Sequence, residues 1–93
     1  MAKANKEEYA KLLKNMKMKI TFWTIGDRLR ALRYEKGVSV DTVAADTGLC
    51  RSNIYQWEWG KVEPSNFSLI CLADYYKVSI DYILVGKKSE YER

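Results

Sequence analysis

The segment SVDTVAADTGLCRSNIYQWEWG, residues 39–60, decides the fold of this chain. Its first half carries apolar or small side chains at the i, i+3, i+4 and i+7 positions of one helical face: Val40, Val43, Ala44 and Thr47. Ser39 precedes that face as a helix cap, and Gly48 follows it as the residue best suited to the left-handed conformation that ends a helix. The pattern predicts a short amphipathic helix followed by a tight turn.

A second short helix is predicted after that turn. Ile54 and Trp57 lie three positions apart on its apolar side, and Gly60 closes the segment. Polar side chains and one tyrosine occupy the remaining positions: Arg51, Ser52, Asn53, Tyr55 and Gln56. Two helices joined by a tight turn form a helix-turn-helix unit, whose second helix enters the major groove of DNA.

The chain resembles the Cro/lambda-repressor-like helix-turn-helix family, of the XRE type, over residues 24–86. Four stretches match. The first is IGDRLRALR at 25–33, and the second is AA with TGL within 44–49. The third is Ile54 with WEWGK at 57–61, and the last is PS, LA and VSIDYIL within 64–84. This resemblance implies an all-α fold, a compact five-helix lambda-repressor-like DNA-binding domain with an N-terminal extension. It also implies an ion pair between Arg33 and Glu58 that fixes the angle between two helices and can orient the arginine toward a phosphate.

Three segments are expected: a basic amphipathic extension at 1–23, the helix-turn-helix domain at 24–86 and a short charged tail at 87–93. Within the domain, helices are also predicted at 24–36, from Ser65 onward and at 80–85, where Gly37 and Gly86 end the first and the last. The buried side of the fourth helix is predicted to contain Leu69, Ile70, Leu72, Ala73 and Tyr76.

The extension has two different patterns. Tyr9, Leu12, Leu13 and Met16 have helical spacing, whereas residues 16–22 alternate apolar and polar side chains as a strand does. Three roles stay open: a helix that covers the core, an arm exchanged within a dimer, and an arm that follows DNA.

The positive charge lies outside the predicted domain. Residues 1–23 contain six lysines and two glutamates, whereas residues 24–86 contain seven basic and eight acidic side chains, a net charge of −1. Because a basic surface is the usual mark of a nucleic-acid binder, total charge does not establish this function here. The local placement of Arg51, Gln56 and Lys61 supports it instead.

No catalytic site, metal site, cofactor or small-molecule substrate is expected. The chain contains no histidine, and its two cysteines, Cys50 and Cys71, match no metal-binding spacing. No signal peptide and no membrane-spanning run of apolar residues is evident, so a reducing cytoplasm is the expected location. We therefore expect a binding protein rather than an enzyme.

Seven residues are expected to contact DNA. Arg51 suits guanine O6 and N7 or a phosphate, Gln56 suits adenine, and Tyr55 suits a thymine methyl group or a phosphate. Asn53 is expected to contact a phosphate or to cap the chain locally. The full set is Arg51, Ser52, Asn53, Tyr55, Gln56, Lys61 and Ser39.

Three departures from the family pattern stand out. Val40 replaces a glutamine that often contacts phosphate, so a contact at that point must come from the backbone or from Ser39. Cys50 replaces the usual Ser or Thr cap of the second helix, and Lys77 replaces a glycine at the end of the fourth helix.

Together these features predict sequence-specific binding to double-stranded DNA by a phage or bacterial transcriptional repressor. One recognition helix contacts only a few base pairs, so a homodimer on a two-fold operator is expected. Its interface is expected at Tyr82, Ile83 and Val85, while Leu84 is expected to close the monomer core. The alternative is a divergent helix-turn-helix module used for protein–protein interaction, which the net charge of −1, Val40, Tyr55 and Trp59 would suit.

Overall fold

The computed structural model describes residues 23–86. Within that range the chain forms helices and no strand, which confirms the all-α prediction: α1 Ile25–Lys36, α2 Val40–Thr47, α3 Arg51–Glu58, α4 Asn66–Tyr76 and α5 Ile80–Val85. The predicted helix at 6–16, the strand-like stretch at 16–22 and the tail at 87–93 lie outside the described residues. None of the described helices is long and apolar enough to cross a membrane.

Hydroxyl caps and left-handed residues define four of these five helices. At each of the four N-termini a side-chain oxygen accepts a hydrogen bond from the N–H three residues later: Thr24, Ser39, Ser65 and Ser79. The matching C-caps adopt the left-handed conformation: Gly37, Gly48, Lys77 and Gly86. Helix α3 has no hydroxyl cap, because Cys50 makes no side-chain cap bond. Its C-cap Trp59 has φ −89°, and the left-handed residue comes one position later, at Gly60 with φ 75°. The N–H of Lys61 donates to the carbonyl oxygen of Gln56 at 2.9 Å, so α3 lacks a side-chain cap at its start but is closed at its end.

All five helices contribute to one apolar core. Its fully or nearly buried side chains are Leu29, Leu32, Val40, Val43, Ile54, Trp57, Leu69, Leu72, Ala73 and Ile83. Gly26 lets α1 approach the end of α3, since a Cβ atom there would lie 2.7 Å from the carbonyl oxygen of Glu58 and would also clash with that of Trp57. The close approach of α1 to α3 therefore depends on the missing side chain of Gly26.

Three positions differ from the sequence prediction. Ile83 has no exposed surface and belongs to the core, whereas Leu84 is 39% exposed, so their predicted roles are reversed. In the six-residue α5, Ile83 lies one turn after Ile80 on the side that packs against α1 and α4. Ile70 is also exposed, because it lies about 100° around α4 from the face formed by Leu69, Leu72 and Ala73.

Candidate nucleic-acid interface

The outer face of α3 presents the side chains predicted to contact DNA. Ile54 and Trp57 point into the core and fix which side of the helix is covered. The other side is exposed and contains five of the seven predicted residues: Arg51, Ser52, Asn53, Tyr55 and Gln56. This arrangement leaves hydrogen-bonding groups and one aromatic ring free to meet a ligand along eight residues of helix.

The remaining two predicted residues are Lys61 and Ser39, and they differ in whether the side chain is available to a ligand. Lys61 is exposed just beyond α3, and its backbone N–H donates to the carbonyl oxygen of Gln56 at 2.9 Å. Ser39 is half-buried, and its Oγ atom lies 3.1 Å from the N–H of Thr42 and 3.0 Å from the Oγ1 atom of that residue. The hydroxyl of Ser39 is therefore engaged as the cap of α2.

Arg51 is held by contacts on two sides. Its Nε atom pairs with the Oδ1 atom of Asp41 in the first turn of α2, and its guanidinium lies 5.3 Å from the centre of the Tyr55 ring. Both charged side chains are open to solvent, at 61% for Arg51 and 69% for Asp41. The charge of Asp41 raises the pKa of Arg51. The sequence pattern does not predict this pair, although both residues stand in the first turns of adjacent helices.

Cys50 begins α3 without the usual hydroxyl cap, as its replacement of Ser or Thr predicts. Its Sγ atom lies 3.2 Å from the Oγ atom of Ser52, and the thiol is exposed. The hydrogen bond with Ser52 lowers the pKa of the Cys50 thiol, and the backbone N–H groups of Asn53 and Ser52 lower it further. The N-terminus of α3 therefore favours negative charge on this sulfur.

Arg33 and Glu58 form the predicted ion pair at the opposite end of α3. The Nε and Nη2 atoms of Arg33 donate to the two carboxylate oxygens of Glu58 at 2.8 and 2.9 Å, and Nη1 donates to the carbonyl oxygen of Val38 at 3.1 Å. The side chains are 10% and 3% exposed. Burial opposes the charge of Arg33, but the hydrogen bonds and charge of Glu58, together with Tyr34 and Tyr76, raise its pKa overall.

This geometry confirms the link between α1 and α3 but not the second role expected of Arg33. All three nitrogen atoms of the guanidinium are used inside the protein, so the side chain does not extend toward an external phosphate. The pair therefore joins α1 to the end of α3 inside the protein.

Arg28 is a buried structural residue that was not predicted from the sequence. It lies on α1 between Ile25 and Leu32 at helical spacing, which is the pattern that would have placed it on the inner face. Its Nε and Nη2 atoms donate to the carbonyl oxygens of Ile83 and Leu84 at 2.7 and 2.6 Å, and Nη1 donates to that of Trp23. One guanidinium thereby caps the end of α5 and holds the entry of the chain.

Trp59 lies outside the core, next to the candidate interface. The indole is 67% exposed, and the guanidinium of Arg30 lies 5.2 Å from the centre of its ring. Arg30 also pairs with Asp27 at 3.0 Å. The ring therefore contacts α1 and keeps a large apolar surface in water.

The described residues, 23–86, contain no candidate metal centre. In that range no group of three or more His, Cys, Asp or Glu side chains is placed to hold a metal ion. A cavity between the start of α1 and the 60–64 loop has a volume of about 170 Å³, and Glu63 is the one ionisable residue in its wall. The outer face of α3 is therefore the surface that brings the predicted functional residues together.

Comparison with known proteins gives one family and several relatives. Residues 24–82 match the model of a family described as a helix-turn-helix domain. A prophage-derived, uncharacterized HTH-type transcriptional regulator of Bacillus subtilis, YonR, is 33% identical over 67 residues, which are 72% of this chain and 62% of that protein. The HTH-type transcriptional activator BcrR of Enterococcus faecalis is 32% identical over 62 residues, 67% of this chain and 30% of that protein.

The matched regions thus span less than two thirds of the length of either relative. Among solved structures, the P22 c2 repressor in complex with the synthetic operator 9T has a TM-score of 0.67 and 29% identity. The similarity covers 70% of this chain and 98% of that one.

Proposed function

Because this chain belongs to the helix-turn-helix domain family, of the Cro/lambda-repressor-like type, we propose that it binds double-stranded DNA through the outer face of α3. One observation carries the proposal: the side chains that can contact bases stand together on the exposed side of α3, while Glu58 at its end is fixed by Arg33. A rigidly held helix with a polar outer face is what direct recognition in the major groove requires.

Each exposed side chain has a chemical role in this proposal. Arg51 offers paired N–H donors to guanine O6 and N7, and Gln56 offers a donor and an acceptor to adenine. Tyr55 contacts a thymine methyl group or a phosphate, whereas Ser52 hydrogen-bonds to a base or to the backbone. Lys61, just beyond α3, neutralises a phosphate.

Asn53 and the start of α2 supply backbone contacts. The Asn53 side chain is on the exposed flank of α3 and suits a phosphate. The Ser39 hydroxyl is occupied by Thr42, so we assign the contact near Val40 to backbone N–H groups at the N-terminus of α2.

At a finer level, we propose a bacterial or phage repressor that acts in the cytoplasm as a homodimer on a two-fold operator. The two relatives are described as transcriptional regulators, one of them an activator, and the structural neighbour is a repressor bound to an operator. Half-sites one helical turn apart, about 34 Å, would place one α3 in each of two successive major grooves.

For the dimer interface we propose Tyr82 and Val85, together with Leu84. Val85 and Leu84 are exposed and Tyr82 is half-buried, so they form an apolar surface at the end of α5. Ile83 is excluded from this surface because it is fully buried in the monomer. Val85→Asp should shift the protein toward monomer in analytical ultracentrifugation without loss of helix content. A wild-type protein that is monomeric at every concentration and binds a single half-site tightly would contradict the dimer.

Selection of bound sequences from a random duplex pool, followed by a salt titration, tests the main proposal. DNA binding predicts one enriched sequence and an affinity that falls steeply with salt, because phosphate contacts release counterions. An affinity for duplexes that is absent or independent of salt would favour the protein-interaction alternative.

Deletion of residues 1–19 distinguishes the three roles that the extension can have. Equal loss of affinity for all duplexes, with a weaker salt dependence, would assign its six lysines to DNA. Lower thermal stability would assign it to covering the core, and a change in oligomeric state would assign it to dimer exchange.

A further inference from the structure

We infer that Asp41 is a positioning residue that makes Arg51 selective for guanine. This inference rests on the proposed DNA binding and deepens it. The observation is that the Nε atom of Arg51 pairs with Asp41 of the preceding helix while its Cζ atom lies 5.3 Å from the centre of the Tyr55 ring. The two contacts hold the one arginine of the candidate recognition face before any DNA arrives.

The contacts leave the correct part of the guanidinium unoccupied. Asp41 pairs with the Nε atom of Arg51, so N–H donors of the two Nη groups remain for an external partner. Two parallel donors match the O6 and N7 acceptors of guanine, and no other base offers that pair in the major groove. A held arginine also loses less rotamer freedom on binding than a mobile one.

Stability of the fold does not explain the pair. Both side chains are more than half exposed, and ion pairs in water contribute little to folding. The carboxylate also carries a cost for DNA binding, because it places a negative charge on the surface that meets phosphates. That repulsion weakens binding to every sequence equally.

Selectivity for guanine does explain the pair of Arg51 and Asp41. Without Asp41, Arg51 is a long, mobile cation that can neutralise any nearby phosphate. With Asp41, the charge of Arg51 is already partly neutralised, so a phosphate attracts it less, whereas guanine still provides two well-directed hydrogen bonds. Asp41 therefore lowers affinity for DNA in general and raises the preference for guanine at one position.

The test measures binding of Asp41→Ala and Asp41→Asn to the selected operator and to an unrelated duplex. Asp81→Ala is the matched control, since Asp81 is also an exposed carboxylate in the first turn of a helix. The guanine assigned to Arg51 is the one whose preference Arg51→Ala abolishes, and its replacement by 7-deazaguanine removes the N7 acceptor.

Asp41→Ala should reduce the preference for that guanine by roughly 3- to 10-fold, a part of what a bidentate contact provides. It should also strengthen binding to the unrelated duplex. Asp41→Asn removes the charge but keeps a hydrogen-bond acceptor, so it should strengthen unrelated binding as much and keep more of the preference. Asp81→Ala should change neither quantity.

An equal gain of affinity for all duplexes in both Asp41 variants would overturn the inference, since Asp41 would then only repel phosphates. If Arg51→Ala weakens binding to all duplexes equally and changes no base preference, the inference is also overturned. The proposed DNA binding would then still stand. Absence of duplex binding by the wild-type protein would overturn the proposed function itself and this inference with it.

Discussion

The two ends of α3 each carry an arginine–carboxylate pair, and the two pairs differ in almost every physical respect. At the C-terminal end, Arg33 and Glu58 meet through two parallel hydrogen bonds in the interior. At the N-terminal end, Arg51 and Asp41 meet through a single nitrogen atom in open solvent. The same chemical groups therefore make one fixed contact and one contact that can be exchanged.

The two pairs differ because one is buried and the other is exposed to water. Breaking the inner pair would leave a charge in a low-dielectric surrounding with no water to replace its partner. Breaking the outer pair exposes both groups to water, which solvates them well. The helix is thus anchored in the interior at its end and open to solvent at its beginning, where a ligand would be recognised.

Removal of the inner carboxylate is the strongest way to test this contrast. Glu58→Ala should lower the free energy of unfolding by about 3–5 kcal/mol, because it leaves the Arg33 guanidinium buried and unpaired. Asp41→Ala should change it by less than about 0.5 kcal/mol, as expected for an exposed pair. Urea denaturation measures both. Equal losses in the two variants would show that burial does not distinguish the pairs.

The exposed residues of α3 should affect operator binding, whereas the buried pair at its C-terminal end affects folding stability. Arg51→Ala and Gln56→Ala should each weaken operator binding by about 1–3 kcal/mol, because each removes contacts to a base edge, while the thermal midpoint stays nearly unchanged. Lys36→Ala, which removes a cation at the end of α1, is the control for general charge loss. Unchanged operator affinity in both variants would remove α3 as the recognition surface.

A hydroxyl cap at the N-terminus of α3 should stabilise the protein. Cys50→Ser places a hydroxyl where the other four described helices have one, and it should raise the free energy of unfolding by about 0.5–1 kcal/mol. Ser79→Ala, at the start of α5, should lower it by a similar amount through loss of a cap. A destabilised Cys50→Ser protein would mean that the thiol already satisfies this end of the helix.

The smallest expected effect concerns the pH at which Cys50 reacts. Its hydrogen bond with Ser52 and the nearby N–H groups lower the thiol pKa, so alkylation should reach half its maximal rate at a lower pH than for an ordinary thiol. Ser52→Ala should move that midpoint upward. Rates are followed by mass spectrometry of the peptide that contains Cys50, which separates it from Cys71. An unchanged midpoint in Ser52→Ala would exclude the hydroxyl as the cause.

Local signals predicted the frame of the domain well. Ser39 and Ser65 start helices and Gly37, Gly48 and Gly86 end them, because capping depends on residues within one turn of the helix end. The outer face of α3 also followed from Ile54 and Trp57, whose spacing fixes the buried side.

Contacts between distant segments were harder to predict. Arg33 and Glu58 were paired only through resemblance to a family, and Arg28 was missed because its three acceptors are backbone carbonyls, which leave no trace in the sequence. Ile83 and Leu84 were exchanged because α5 has too few residues for a periodic pattern to identify its inner face. Tertiary packing alone decides such positions.

Arg28 also has a consequence for the topology of the chain. Its guanidinium binds the carbonyl oxygens of Trp23 and Leu84, so the first and the last described turns lie within the width of one side chain. The domain is therefore nearly a closed ring, and a short linker suffices to join residue 86 to residue 23. New termini could then be opened in the exposed 60–63 loop, which would make the fold suitable for circular permutation or for insertion into another protein.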